Sequence, residues 1–125
     1  MRKIRNHLYA VVLGWLIFAP SVTRADSLPI VDWAHGAKRG TIIKNYSSGA
    51  EASTLPVCVA KLSADERLAR HFAEIEYRHG RTLFREVGEI PEDVPTQVGN
   101  EVEIYPKDCE RGTISRVTRL LKLAN

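Results

Sequence analysis

Short runs of alternating apolar and polar residues, each ended by a proline or a glycine, are the feature that most limits how this chain folds. The clearest run is Glu101–Tyr105 (EVEIY), in which Val102 and Ile104 project to one face and the glutamates to the other. Pro106 ends the run, because proline has no N–H to donate to a β-ladder. A period of two over a few residues is typical of strands, so the chain is predicted to be mainly β.

About six strands and one short helix are expected along the chain. The predicted strands are Thr41–Tyr46, Val57–Leu62, His71–Tyr77, Thr82–Val87, Glu101–Tyr105 and Ile114–Leu121. The third and fourth form a hairpin around Arg78-His79-Gly80, where glycine supplies a positive φ. The helix is predicted over Ala64–Arg70, because Ser63 and Glu66 have the spacing of a capping box.

Short strands joined by turns that contain proline or glycine favour a small SH3-like or OB-like β-barrel, or a strongly bent antiparallel sheet, over residues 41–125. The run Val102–Val117 (VEIYPKDCERGTISRV) resembles the turn and closing strand of SH3-like barrels, in which a glycine precedes the closing strand. The tetrapeptide RGTI occurs at Arg39–Ile42 and again at Arg111–Ile114, so the first and last strands are expected to lie side by side. Residues 26–40 have no clear period and are expected to form an irregular N-terminal arm.

Residues 1–25 have the pattern of a secretory signal peptide that is cleaved. An uncharged, mostly apolar run of 12 residues, Leu8–Ala19, follows the basic residues Arg2, Lys3 and Arg5. Small residues at Thr23 and Ala25 suit a signal peptidase. The alternative is a retained anchor, but a helix of this length spans roughly 18 Å, short of a hydrocarbon core of roughly 30 Å. We therefore expect cleavage after Ala25 and export, either to the periplasm or as a secreted protein.

The leader accounts for the basic character of the whole chain, which has 18 basic and 15 acidic residues and a formal net charge of +3. Four of the basic residues and none of the acidic ones precede Asp26, which leaves 14 basic and 15 acidic residues and a net charge of −1. The precursor's charge is thus no argument for binding to nucleic acid or to an anionic membrane. We expect no nucleic-acid partner, and no stable membrane span after cleavage.

Cys58 and Cys109 are the only cysteines, and both follow the leader. In an oxidising compartment an isolated pair of cysteines is typical of a disulfide. Such a bond would close a loop of about 50 residues and stabilise the domain by roughly 4 kcal/mol on the chain-entropy model. The alternative is two separate thiols, buried or reactive.

No catalytic residue, metal ligand or cofactor site is predicted. His71 and His79 would lie about 26 Å apart on an extended strand, too far to share one metal ion. A disulfide removes the thiolate nucleophiles, and the serines lack a G-x-S-x-G elbow. The acidic pairs on two of the predicted strands, Glu74 with Glu76 and Glu101 with Glu103, are interpreted as solvated faces, with Arg85 paired to Glu74 or Glu76.

The predicted function is a non-enzymatic exported domain that binds a protein or an envelope component. Its binding surface is expected on the hairpin, because arginine and aromatic side chains most often supply interface energy, and the predicted contact residues are Tyr77, Arg78, Arg81 and Arg85. The alternative is an inhibitor or accessory subunit of a secreted enzyme, which acts through the acidic segment Gly88–Gln97. An enzyme is the third hypothesis, and it requires a deep polar pocket with converging histidine, glutamate and arginine.

Overall fold

The computed structural model describes residues 19–20 and 29–125, and the predicted cleavage after Ala25 lies outside the described residues. The strands are β1 Lys38–Asn45, β2 His71–His79, β3 Thr82–Ile90, β4 Glu101–Tyr105 and β5 Ser115–Lys122. The helices are α1 Val57–Ala60 and α2 Ala64–Ala69, with 3-10 turns at Trp33–His35 and Ala52–Thr54. Within the described part of the chain, no helix has the length and apolar character needed to cross a membrane.

The five strands close into a barrel in the order β1-β2-β3-β5-β4, and β4 returns to β1. Neighbouring strands are antiparallel except for β3 and β5, which run parallel with Gly88 opposite Ser115 and Glu89 opposite Arg116. A five-stranded barrel with this order and one parallel contact has the connectivity of an OB-fold. The prediction of a small, mainly β barrel is confirmed, and its connectivity is of the OB-like type.

Two predictions about the strands are wrong. The segment Val57–Leu62 begins with helix α1, so the barrel has five strands instead of six. The N–H groups of Ala60 and Lys61 donate to the carbonyls of Pro56 and Val57, four residues earlier, which is the hydrogen-bond pattern of a helix. The two RGTI runs do not pair, because β4 lies between β1 and β5.

The predicted hairpin and the predicted helix start are confirmed. Strands β2 and β3 pair over their whole length around a two-residue turn, and Gly80 at its first position has a φ of 61°. Helix α2 begins after Ser63, whose hydroxyl accepts a hydrogen bond of 3.2 Å from the Glu66 N–H. Both features depend on local residues, which is why the sequence pattern identifies them.

The apolar side chains form two main clusters that are held together by different means. The barrel interior contains Ile42, Ala73, Ile75, Ile90, Val94, Val102, Ile104 and Val117. A second cluster, with Phe72 and Val87 projecting from the outer face of β2 and β3, also contains Cys58, Val59 and Cys109. The predicted disulfide between Cys58 and Cys109 is present, with Cα atoms 4.9 Å apart.

Ile75 of β2 fills the centre of the barrel because both neighbouring strands, β1 and β3, carry a glycine beside it. A Cβ atom on Gly40 would lie 2.5 Å from Cγ2 of Ile75 and 3.3 Å from the carbonyl oxygen of Glu76. On Gly88 it would lie 2.8 Å from Cδ1 of Ile75. Ile104 also packs against both glycines, with its side chain 3.3 Å from the added Cβ on Gly40 and 3.6 Å from that on Gly88, so the glycines leave room for two isoleucine side chains.

Gly40→Ala is expected to lower the free energy of unfolding by about 1–3 kcal/mol, because the new methyl group overlaps a stiff β-branched side chain and a backbone oxygen. Gly49→Ala is the matched control, since nothing lies within 4 Å of its added Cβ atom. It should change the free energy of unfolding by less than about 1 kcal/mol. Equilibrium unfolding in urea measures both, and similar midpoints for the two variants would contradict this account of the packing.

The segment before β1 is attached to the outer surface of β4 and β5. Val31 and Ala37 are buried against Leu121. The Asp32 carboxylate accepts a hydrogen bond of 3.0 Å from the Tyr105 hydroxyl, and Nδ1 of His35 lies 2.8 Å from the same carboxylate. Apolar contacts and the bond from Tyr105 to Asp32 thus attach the segment to the barrel, and the bond from His35 to Asp32 lies within the segment.

Glu103 is 4% exposed, which corrects the prediction that it belongs to a solvated acidic face. Its carboxylate accepts hydrogen bonds from the Asp32 N–H at 2.9 Å, the Thr118 hydroxyl at 2.6 Å and the Arg119 guanidinium at 3.1 Å. Burial raises the pKa of Glu103, but these hydrogen bonds outweigh it, and the pKa is lowered overall. Glu103 therefore stays charged and serves as an attachment point for the N-terminal segment.

The contribution of the Asp32–His35 pair to stability should depend on pH. The hydrogen bond with Asp32, and then its charge, raise the pKa of His35 from 6.5. A raised folded-state pKa means that the contribution is complete below about 6.5 and is lost as the pH rises through the folded-state value. The difference in unfolding free energy between wild type and His35→Gln should thus be larger at about pH 5.5 than at about pH 8.5. Urea unfolding at both pH values measures it, and equal differences would contradict this assignment.

Candidate functional site

A cleft of about 420 Å³ lies beside the outer face of β2 and β3, between the β1–β2 and β4–β5 connections. The side chains around it are Tyr46, Pro56, Glu74, Arg85, Glu86, Val87, Asp108, Cys109 and Glu110. In OB-fold barrels this sheet face and these two connections form the usual ligand-binding region. The cleft is therefore the candidate site.

The disulfide fixes both walls of the cleft relative to its floor. It joins Cys58, in the β1–β2 connection, to Cys109, in the β4–β5 connection, and the Cys58 N–H lies 3.3 Å from Sγ of Cys109. Both cysteines pack on Phe72 and Val87, which project from the floor. The walls cannot move away from the sheet without exposing this apolar cluster to water.

Negative charge is concentrated in the cleft, whose lining includes four carboxylates and one guanidinium. Glu86 accepts a hydrogen bond of 3.3 Å from the Cys109 N–H. Burial raises the pKa of Glu86, the hydrogen bond from Cys109 lowers it, and the nearby charges of Asp108 and Glu110 raise it again, so that the net shift is upward. The one lining arginine, Arg85, is directed to Glu76, with Nε 3.2 Å from the carboxylate.

Glu86→Gln is expected to stabilise the fold at neutral pH, because it removes a repelled charge and keeps an oxygen that accepts from the Cys109 N–H. An acid with a raised folded-state pKa weakens folding when it is ionised, so the gain should shrink as the pH falls through that pKa. A gain of up to about 1 kcal/mol at pH 7 is typical of such half-exposed charges. The exposed Glu92→Gln is the control, and thermal unfolding at pH 4.5 and pH 7 compares the two. A larger gain at the lower pH would contradict the assignment.

The β2–β3 hairpin extends beyond the barrel at the side of the cleft. Its strands pair as far as His79 and Thr82, whereas β1 accompanies β2 only as far as Tyr77. The parallel contact with β5 begins only at Gly88. In this outer part Leu83 is 54% exposed and Phe84 is 41% exposed. The hairpin tip is therefore a two-stranded ribbon with both faces accessible.

The four predicted contact residues are divided between the two faces of this ribbon. Tyr77 stacks on Phe84 across the strands, with ring centroids 5.6 Å apart, and burial followed by the charge of Glu86 raises the pKa of Tyr77. Neighbouring residues of a strand project to opposite faces, so Arg78 lies on the other side, the face that also carries Arg85. Arg85 pairs with Glu76, one of the two partners expected for it on a solvated face.

The tip carries the remaining predicted arginines. Arg81 lies in the turn after Gly80, and both Arg78 and Arg81 are exposed. Neither forms a salt bridge within the described residues, where the ion pairs involve other side chains. Arg78 therefore shares a ribbon face with Arg85, which lines the cleft, whereas Arg81 lies in the turn and Tyr77 lies on the opposite face with Phe84.

The carboxylates of the cleft were missed at the sequence level, because they come from three segments that only the fold brings together. One local signal was available: Asp108 and Glu110 flank Cys109, so a disulfide at that position necessarily places two acids at its surface. The described residues contain no group of three or more histidine, cysteine, aspartate or glutamate side chains placed to hold a metal ion. The carboxylates of the cleft are suited to attracting a positively charged group of a ligand.

The segment Gly88–Gln97 is held against the barrel. Its first three residues belong to β3, and Val94 is buried in the barrel core. The Asn45 side chain donates a hydrogen bond of 2.7 Å to the Thr96 carbonyl, and the Asn100 side chain donates one of 3.0 Å to the Pro95 carbonyl. Most of its backbone is therefore occupied by contacts within the protein.

Comparisons with known proteins leave the site to be interpreted from its own geometry. No protein-family model matches the chain, no curated protein matches it, and no solved structure matches it. The OB-like connectivity indicates where such barrels bind ligands, but a fold by itself does not identify the ligand.

Proposed function

We propose that this protein is a non-enzymatic exported domain that binds a protein or an envelope component through the outer face of β2 and β3. The observation that carries the proposal is the hairpin tip, which projects beyond the barrel with Arg78 and Arg81 exposed and with Arg78 on the same face as Arg85. Arginine and aromatic side chains supply a large share of the energy in protein interfaces. The exposed Phe84 adds an aromatic contact on the opposite face of the same ribbon.

Rigidity of the candidate surface supports a binding role. The disulfide and the apolar cluster beneath the cleft hold its walls, so a partner would meet a preformed surface. A preformed surface loses little conformational entropy on association, which favours affinity. Cys109, which lines the cleft, is bonded to Cys58. The other lining groups include several carboxylates and a tyrosine, which are suited to recognition.

Export is the second part of the proposal, and the disulfide supports it. Disulfides persist in oxidising compartments and are rare in reducing ones. The signal pattern of residues 1–25 is consistent with the same compartment. We propose the periplasm as the location, with secretion as the alternative.

The second candidate, an enzyme inhibitor that acts through Gly88–Gln97, has less support. An inhibitory loop has to project into the cleft of its target. In this protein Val94 is buried and the neighbouring carbonyls are bonded to asparagine side chains of the barrel. The projecting element is the hairpin.

Replacement of both Arg78 and Arg81 by alanine is expected to leave the melting temperature nearly unchanged, because both side chains are exposed. The same variant should lose at least about tenfold in partner yield, since hot-spot residues each contribute more than about 1 kcal/mol. Affinity capture of the tagged, oxidised protein from an envelope fraction measures this. Lys107→Ala with Lys122→Ala is the control, because it also removes two exposed positive charges. Wild-type recovery by the arginine variant would show that the binding surface lies elsewhere.

A further inference from the structure

Strand β3 has an open edge along its first half. Its partner on one side is β2 over the full length of the hairpin, whereas on the other side β5 covers only Gly88 and Glu89. No strand among residues 29–125 pairs with positions 82–87 on that side. An uncovered edge presents unpaired N–H and C=O groups, and proteins usually blunt such edges with proline, a bulge or a covering segment. The β2–β3 pairing is regular through positions 82–90, which contain no proline.

The hairpin turn determines which backbone groups face outward. A two-residue turn makes His79 and Thr82 a hydrogen-bonded pair, and hydrogen-bonded pairs alternate along an antiparallel ladder. Phe84 therefore also bonds to β2, while the N–H and C=O groups of Leu83 and Arg85 point away from it. These four groups have the spacing that an added strand needs.

The two ends of this edge carry opposite charges. At the turn, Arg81 is exposed and Arg78 lies on the neighbouring strand. At the barrel end, Glu86 faces the cleft together with Asp108 and Glu110. The edge from position 82, next to Arg81, to position 86 is about 13 Å long, so a strand paired along it places side chains four residues apart near its two ends.

We propose that an extended peptide segment of a partner protein adds to this edge as an antiparallel strand. Its backbone bonds to Leu83 and Arg85, a lysine or arginine side chain lies over the acidic cleft, and an acidic side chain four residues later lies beside Arg81. Strand addition of this kind takes affinity from main-chain hydrogen bonds and specificity from alternate side chains. The proposal rests on the binding role proposed above and specifies the chemistry of the partner.

The charge pattern determines the order of the charged residues in an antiparallel segment. Strand β3 runs from Arg81 toward Glu86, so an antiparallel segment meets the acidic cleft first and the arginine last. The basic residue of the segment therefore precedes its acidic residue. A segment of uniform charge would be attracted at one end of the edge and repelled at the other.

The test uses a fluorescein-labelled octapeptide of alternating valine and threonine with lysine at position 2 and glutamate at position 6. We expect saturable binding to the disulfide-bonded protein in fluorescence anisotropy, and weaker binding by about fivefold or more when the two charges are exchanged. Glu86→Gln combined with Asp108→Asn should weaken the original peptide and strengthen the exchanged one. Equal affinity of both peptides for wild type would overturn the proposed charge recognition.

N-methylation of the peptide tests the backbone hydrogen bonds without a change in the protein. Methyl groups on two alternate amides that face β3 should weaken binding by about tenfold or more, since each lost hydrogen bond costs a few-fold in affinity. Methyl groups on the other set, which face solvent, should have little effect. If both methylated peptides bind like the parent, the peptide does not form a strand on this edge and the proposal is wrong.

Two further outcomes separate this proposal from the binding role on which it rests. If no octapeptide binds but the Arg78→Ala, Arg81→Ala variant still loses its captured partner, the hairpin binds by another mode and only strand addition is overturned. If neither effect is observed, both proposals are wrong. If the protein alone forms dimers in sedimentation that Leu83→Pro abolishes, the edge is occupied by a second copy, and the proposal of a foreign segment is overturned.

Discussion

The barrel closes through a parallel contact between β3 and β5 that is only two residue pairs long, and the main features of the molecule follow from this short seam. Gly88 leaves room there for the Ile75 side chain, since a Cβ atom would lie 2.8 Å from Cδ1 of Ile75 in the barrel centre. Opposite it, the buried Ser115 hydroxyl bonds to the backbone of Lys107 at 2.7 and 3.2 Å, which fixes the path of the β4–β5 connection. The seam ends at Gly88, so the first half of β3 projects uncovered. A closed core and an open strand edge are thus two results of the same contact.

A seam of this length leaves long connections that need another constraint. The disulfide supplies it at the point where the β1–β2 and β4–β5 connections meet, with Cα atoms 4.9 Å apart across a sequence separation of 51. Closing a loop of that length stabilises the folded state by roughly 4 kcal/mol on the chain-entropy model. The bond also packs on Phe72 and Val87, so it orders the walls of the cleft on the sheet. A domain of about 100 residues has a modest core, and a cross-link at its most irregular part is effective.

Sequence signals succeeded where one or a few neighbouring residues decide the structure. Gly80 and the capping pair before α2 are of this kind. Helix α1 could not be recognised, because VCVAKL alternates like a strand and its burial is decided by the disulfide and by distant residues of β2 and β3. Glu103 does point out of the barrel, as its alternation indicates, but the segment that contains Asp32 folds over it and buries it. The cleft was beyond prediction for the same reason, since its acids lie far apart in the chain.

The charges along the β3 edge also decide which classes of partner are compatible with it. Screening at physiological salt reduces interactions beyond about 8 Å, so a ligand responds to the charges next to it and hardly to the net charge of the domain. A polyanion such as a nucleic acid would gain at Arg81 and be repelled over Glu86, Asp108 and Glu110. A polycation would be attracted over these three acids and repelled at Arg81. Only a segment that carries both signs in the correct order gains at both ends, and an extended peptide is the ligand class whose side chains can be ordered in that way.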